Sequence, residues 1–202
     1  MTGLTIGIIG LVLTALLCGI GSGLGLKATG KASAGVLAED PSKFRNVLIL
    51  SLLPATQGIY GFLIAILGAS YLPTVSNLQN ATVDGVSVLQ LISANPTVGA
   101  AQINAQGWNV FWACLPMMIG GAVSAFLQGR TAASTIVAVG KKSEIAFKAL
   151  IFPAMIEFYA LLGLVVSIMM FRNIPIANVS NITIAPEVVK EAARVVSSFF
   201  GA

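Results

Sequence analysis

There is no histidine anywhere in this 202-residue chain, and there are only two cysteines, Cys18 and Cys114. These absences remove the commonest general base and transition-metal ligand, and leave neither a disulfide framework nor a metal-ligand spacing. Both cysteines fall inside apolar runs, where they read as small buried hydrophobes. Charge is scarce as well: 9% of residues are charged against 56% hydrophobic, and the mean hydropathy is +0.93. So few polar groups cannot coat a soluble globule of this size, and the chain is expected to be an integral membrane protein. With a net charge of only +4, no nucleic-acid partner is expected.

Four hydrophobic runs are present: Leu4 to about Ala38, Phe44 to Leu72, Trp108 to Val139 and Ile145 to Phe171. Each exceeds the ~20 residues that a spanning helix needs, and Gly and Ala abound in them, as in close-packed membrane helices. The first run does not read as a signal peptide, because Met1 to Leu26 holds no Lys or Arg. Leu17, beside Cys18, argues against lipoprotein cleavage, so the mature chain is expected to start near Met1.

The placement of charge predicts topology. Lys27, Lys31, Lys43 and Arg45 surround the first short turn, and Arg130, Lys141, Lys142 and Lys148 the second, whereas Pro73 to Gly107 holds only Asp84. The positive-inside rule puts both turns in the cytoplasm and the termini and long loop outside.

The chain repeats itself at a spacing of 99 residues. "GKASA" from Gly30 aligns with "GRTAA" from Gly129, and "PATQGIYG" from Pro54 with "PAMIEFYA" from Pro153, without a gap. Tyr60 matches Tyr159 and Leu63 matches Leu162. The resulting fold class is an all-α membrane protein of four transmembrane helices, built as two tandem repeated hairpins and assembling into a ring. The divisions are a first hairpin over 1–72, a non-cytoplasmic loop over 73–106, a second hairpin over 107–172 and a tail over 173–202. The small-residue first and third helices are expected on the inner, tightly curved wall. Gly21, Gly23 and Gly25 superficially resemble a phosphate loop, but no strand precedes them and they sit at membrane depth.

The copies differ at one position above all: where the second has Glu157, the first has Gly58. A lone carboxylate at mid-membrane costs about 2.5–3.5 kcal/mol on insertion scales and marks an ion or proton pathway. It persists only if a proton or a bound cation neutralises it. Oxygen groups lie at comparable depth: Thr56, Gln57 and Tyr60 on the second helix, Gln128 on the third, and a backbone carbonyl freed by Pro54. With Glu157 they form an all-oxygen set suited to a hard cation, and one negative charge matches one monovalent ion. Taken singly, Thr56 reads as bonding back to its own helix and the glutamines as interhelical glue, while Tyr159 reads as packing or an interface anchor.

The motifs "LLPATQGIYGF" from Leu52, "LQGRTAAS" from Leu127 and "IFPAMIEFYALLG" from Ile151 resemble those of the proteolipid subunit, called K or c, of V-type and archaeal-type rotary ATPases. The resemblance covers about Leu4 to Phe171. It implies a rotor-ring subunit, not an enzyme by itself, whose Glu157 carries one ion between two half-channels while other subunits handle ATP. It also implies a homo-oligomeric ring amid lipid, a stator subunit with an essential arginine, and a central-stalk subunit at the cytoplasmic turns. A prokaryotic cell membrane is the expected location. Carried over from sodium-transporting members, the ligands are the Leu53 carbonyl, Thr56, Gln57, Gln128 and Glu157, with Tyr60 locking the site; the ion implied is Na+, with H+ as the alternative.

Two segments depart from the pattern. The loop from Pro73 is longer than the connector expected, and in the tail "PEVVKEAARVVSSFFG" forms an amphipathic pattern suited to a membrane surface, a ring contact or packing on the loop. Asn80, Asn178 and Asn181 fit glycosylation triplets. A stand-alone cation/proton antiporter and a pore-forming proteolipid are the rival readings; neither accounts for a duplication in which one carboxylate is lost.

Overall fold

Helix, turn, helix, twice over, is what these residues build. The computed structural model describes residues 2–72, 82–83, 86–87 and 96–174. Four segments are long and apolar enough to cross a membrane, and they form the first to fourth spans in chain order: Gly3–Glu39, Pro41–Ala69, Asn104–Lys141 and Ser143–Arg172.

The turns arise from local chemistry. Pro41 disfavours a helical conformation in the residue before it, and Asp40 is accordingly extended (φ −147°, ψ 94°). Asp40 then caps the short 3₁₀ turn Pro41–Lys43, accepting hydrogen bonds from the Ser42 amide at 3.0 Å and the Ser42 hydroxyl at 2.6 Å. These bonds, with Lys43 close by, hold its carboxyl below the usual carboxylate range. Lys43 Nζ lies 3.2 Å from the Asp40 carboxylate and donates to the Gly140 carbonyl at 2.6 Å. A cation thus caps the C-terminal end of the third span and ties the two turns together. The second turn repeats the design with Lys142 extended, but without that tie: Lys142 faces Glu144 at 3.7 Å, exposed.

Each returning span is broken near its proline. Leu53–Ala55 is a short 3₁₀ stretch between the helices Phe44–Leu52 and Thr56–Ala69. In the fourth span the helix Ala146–Ala149 gives way to Ile151–Arg172 two residues before Pro153.

The first and third spans make the most extensive contact. Glycine is required at their crossing: a Cβ on Gly129 would collide with the Gly25 backbone, and one on Gly21 would come 2.5 Å from the Ala122 carbonyl oxygen. Two apolar clusters flank a polar layer. Leu11, Cys18, Ile64, Met117 and Phe171 pack toward the termini; Val36, Val47, Leu50, Ile136 and Val139 pack toward the turns. Cys18 and Cys114 are both buried and unbridged, as small core residues should be.

The third helix differs from expectation. It runs from Pro96 to Lys141, and so begins inside the segment read as loop, before residue 107. Proline suits a first helical turn, and the polar Gln102, Asn104 and Gln106 extend the helix without extending the hydropathy that marked its start at Trp108. At 46 residues it is about 69 Å long at 1.5 Å per residue, more than twice the ~30 Å of a hydrocarbon core. A second departure is a small antiparallel pair, Thr82–Val83 with Val86–Ser87, within the otherwise helical architecture. The amphipathic tail pattern and Asn80, Asn178 and Asn181 lie outside the described residues.

Candidate functional site

The residues singled out around Glu157 come from three spans, and packing brings them to one level. Glu157 is half-buried on the fourth span. The Thr56 hydroxyl lies 2.9 Å from its Oε1, and the Tyr60 hydroxyl donates to the same oxygen at 3.1 Å. Thr56 and Tyr60 are four residues apart, so one helical face delivers both. Thr56 Oγ1 is also 2.9 Å from the Leu53 carbonyl oxygen, so it is linked both to its own turn, as expected of a lone threonine, and to Glu157, as an ion site requires. Pro54, with no N–H, produces the 3₁₀ stretch that sets this carbonyl beside Thr56.

Behind this cluster lie Gln57 and Gln128, both 0% exposed. Gln57 Nε2 donates to Gln128 Oε1, joining the second and third spans. Gln57 Oε1 has no donor and Gln128 Nε2 no acceptor. A buried polar pair satisfied on one side only is costly unless something occupies the space beside it, and an orphaned amide oxygen asks for a cation or a donor. Among the described residues, no group of three or more His, Cys, Asp or Glu side chains could hold a metal ion. The oxygens here are one carboxylate, two hydroxyls, one carbonyl and amides, which carry a single negative charge. Such a set fits a monovalent hard cation.

Some polar features of the same layer carried no signal in the sequence. Ser22 lies in the first span with its Oγ buried and without a partner, against Gly58, the position that repeats Glu157. A Cβ on Gly58 would stand 3.1 Å from that oxygen. Further toward the turns, Thr29 donates toward the Leu26 and Ser51 carbonyls at 3.1 and 3.2 Å, and Ser33 and Ser51 share a hydrogen bond of 2.5 Å. Thr29 repeats Gln128, so the first hairpin holds a hydroxyl clamp where the second holds an amide. Tyr159, the repeat of Tyr60, is 69% exposed.

Comparison with known proteins bears on the repeated hairpins as a whole. The family model for the ATP synthase C-subunit matches the chain twice, over residues 9–68 and 111–170, more than half of it in all. The chain is 36% identical over 171 residues to the V-type sodium ATPase subunit K of Enterococcus hirae, covering 85% of this chain and 93% of that one. It is 32% identical over 182 residues to the A-type ATP synthase subunit K of Methanocaldococcus jannaschii, covering 90% of this chain and 69% of that one.

Proposed function

The chain belongs to the ATP synthase C-subunit family, and from that premise we propose that Glu157, with the Leu53 carbonyl, Thr56, Gln57 and Gln128, binds one Na+ and carries it as a rotor ring turns. The role itself, an ion-translocating rotor-ring subunit whose ATP chemistry resides in other subunits, goes with membership and with the subunit K relatives. The assignment of residues rests on the cluster at Glu157: two hydroxyls converge on one carboxylate oxygen while a wholly buried amide oxygen beside them lacks a partner. Sodium rather than the proton is supported by that donor set and by the sodium ATPase relative.

The cycle is driven by charge. With Na+ bound, the site is neutral and passes through lipid at low cost. The Tyr60 hydroxyl holds the carboxylate in place. A stator arginine supplies an alternative cation for Glu157, so the ion leaves where the two meet and another enters from the opposite half-channel. The relatives are bacterial and archaeal, so the ring belongs to a prokaryotic membrane; the turns with their lysines face the cytoplasm and the central stalk, with the termini and long loop outside.

The test is carbodiimide labelling of Glu157 in purified rings. Millimolar Na+ at fixed pH should slow the reaction, and K+ at equal ionic strength should not. Labelling indifferent to Na+ but suppressed by alkali would make the cargo H+.

A further inference from the structure

Pro54 and Pro153 are repeats of one another, yet only the first sits in a 3₁₀ stretch. Around Pro54, residues Leu53–Ala55 are 3₁₀ and the Thr56 N–H bonds to the Leu53 carbonyl, three residues back. Around Pro153 the chain is α-helical from Ile151 onward, and the Ala154 N–H reaches the Leu150 carbonyl, four residues back, at 3.2 Å. A proline thus permits the 3₁₀ form that presents the Leu53 carbonyl but does not impose it. Pro54 acts together with something that Pro153 lacks.

What differs is the partner of one carbonyl. Ser51 repeats as Leu150, and Ala55 as Ala154. In a 3₁₀ stretch an N–H reaches three residues back instead of four, so Ala55 turns from Ser51 toward Leu52 and the Ser51 carbonyl loses its helical donor. The Thr29 hydroxyl takes that donor's place, 3.2 Å from the Ser51 oxygen, on a residue 0% exposed. One turn earlier on the same face, Gly25 lets the first span lie against the proline itself: a Cβ there would stand 2.7 Å from Pro54 Cβ. Ser33 completes the clamp, with its hydroxyl 2.7 Å from the Thr29 carbonyl oxygen and bonded to the Ser51 hydroxyl. The second hairpin has none of these hydroxyls, because positions 29, 33 and 51 repeat as Gln128, Ala132 and Leu150.

Resting on the ion-site reading above, we propose that Thr29 is a positioning residue for the ion: by capping the Ser51 carbonyl, its hydroxyl holds Leu53–Ala55 in the 3₁₀ form that sets the Leu53 carbonyl and Thr56 beside Glu157. The bonds of Thr29 go to backbone carbonyls, so it acts on the ion through the chain. Thr56 Oγ1 stands 2.9 Å from both the Leu53 oxygen and Glu157 Oε1, and therefore moves with this turn. Without the Thr29 hydroxyl, a buried Ser51 carbonyl is left unpaired unless the Ala55 N–H returns to it. That return would make the first proline turn α-helical like the second and withdraw the Leu53 carbonyl from the ion.

Carbodiimide labelling of Glu157 in intact rings tests this. Thr29→Val keeps the shape and removes the donor, and should raise the Na+ concentration that half-protects Glu157 about three- to tenfold. Thr29→Ser keeps the donor and should stay near wild type, as should Ser33→Ala, which leaves the bond to the Ser51 carbonyl in place. The pH dependence of labelling without Na+ should not move, because a proton needs the carboxylate alone; a general loosening of the site would shift both. Thr29→Ala removes the same donor and is read in the same way where Thr29→Val does not assemble. An unchanged Na+ requirement on loss of the hydroxyl, or a Thr29→Ser ring as weak as Thr29→Val, would overturn the role of Thr29. Wild-type labelling indifferent to Na+ would instead overturn the sodium reading, and this role with it.

Discussion

Glu157 and its four hydroxyl and amide neighbours define what single substitutions should do. Thr56→Val keeps the shape and removes the oxygen that sits 2.9 Å from the carboxylate. A hydrogen bond to a charged group is worth about 1.5–3 kcal/mol, so the Na+ concentration that half-protects Glu157 should rise about tenfold or more. Tyr60→Phe should act mainly on release, since the phenol reaches Glu157 by a hydrogen bond alone; faster Na+ exchange in a 22Na+ retention assay is the expected outcome. Glu157→Gln should leave rings assembled while abolishing both labelling and transport, and surviving transport would remove Glu157 from its role. Thr56, Gln57 and Tyr60 were legible because they follow Pro54 in the block that aligns with the one holding Glu157. Ser22 was not, because one serine in a glycine-rich helix has no distinguishing period. Its meaning depends on what stands opposite, and that is Gly58.

At the level of elements, the crossing of the first and third spans is the tightest joint. Gly129→Ala places a methyl group on the Gly25 backbone and should cost at least about 1–3 kcal/mol of overpacking, read as lost yield of folded protein. Gly35→Ala meets nothing within 4 Å and should be tolerated. The first turn offers a pH test. Because the Asp40 carboxyl is held below the usual range, its contribution is complete above the ordinary carboxylate pKa and is lost only as pH falls through the depressed value. Amide exchange at Ser42 should therefore be protected at neutral pH and freed only in strong acid, whereas Asp40→Ala should free it at neutral pH as well. The four spans were legible from hydropathy because lipid demands apolar length. The start of the third helix at Pro96 was not, because a helix beyond the bilayer no longer needs apolar residues. Nor was the tie from Lys43 to Gly140, which joins residues far apart in sequence through a backbone carbonyl.

At the scale of the whole molecule, parallel hairpins explain why the fourth span buries so little of its own surface and leaves Phe158, Tyr159 and Leu162 exposed. These residues meet lipid or a neighbouring copy. A ring also predicts mass: the purified protein should run at a multiple of 20.8 kDa that survives dilution in detergent, and a species of one chain would favour the antiporter reading. The duplication was visible from "PATQGIYG" and "PAMIEFYA" alone.

The exchange of a carboxylate for Gly58 finally has a mechanical meaning. A ring of given circumference built from these chains carries one ion for every two hairpins, so each ion advances it through twice the angle it would if both hairpins were charged. The torque available from a given ion gradient is spread over that longer stroke, and fewer ions cross per revolution. Gly58, with Ser22 packed against it, thus sets the gear in which the rotor runs.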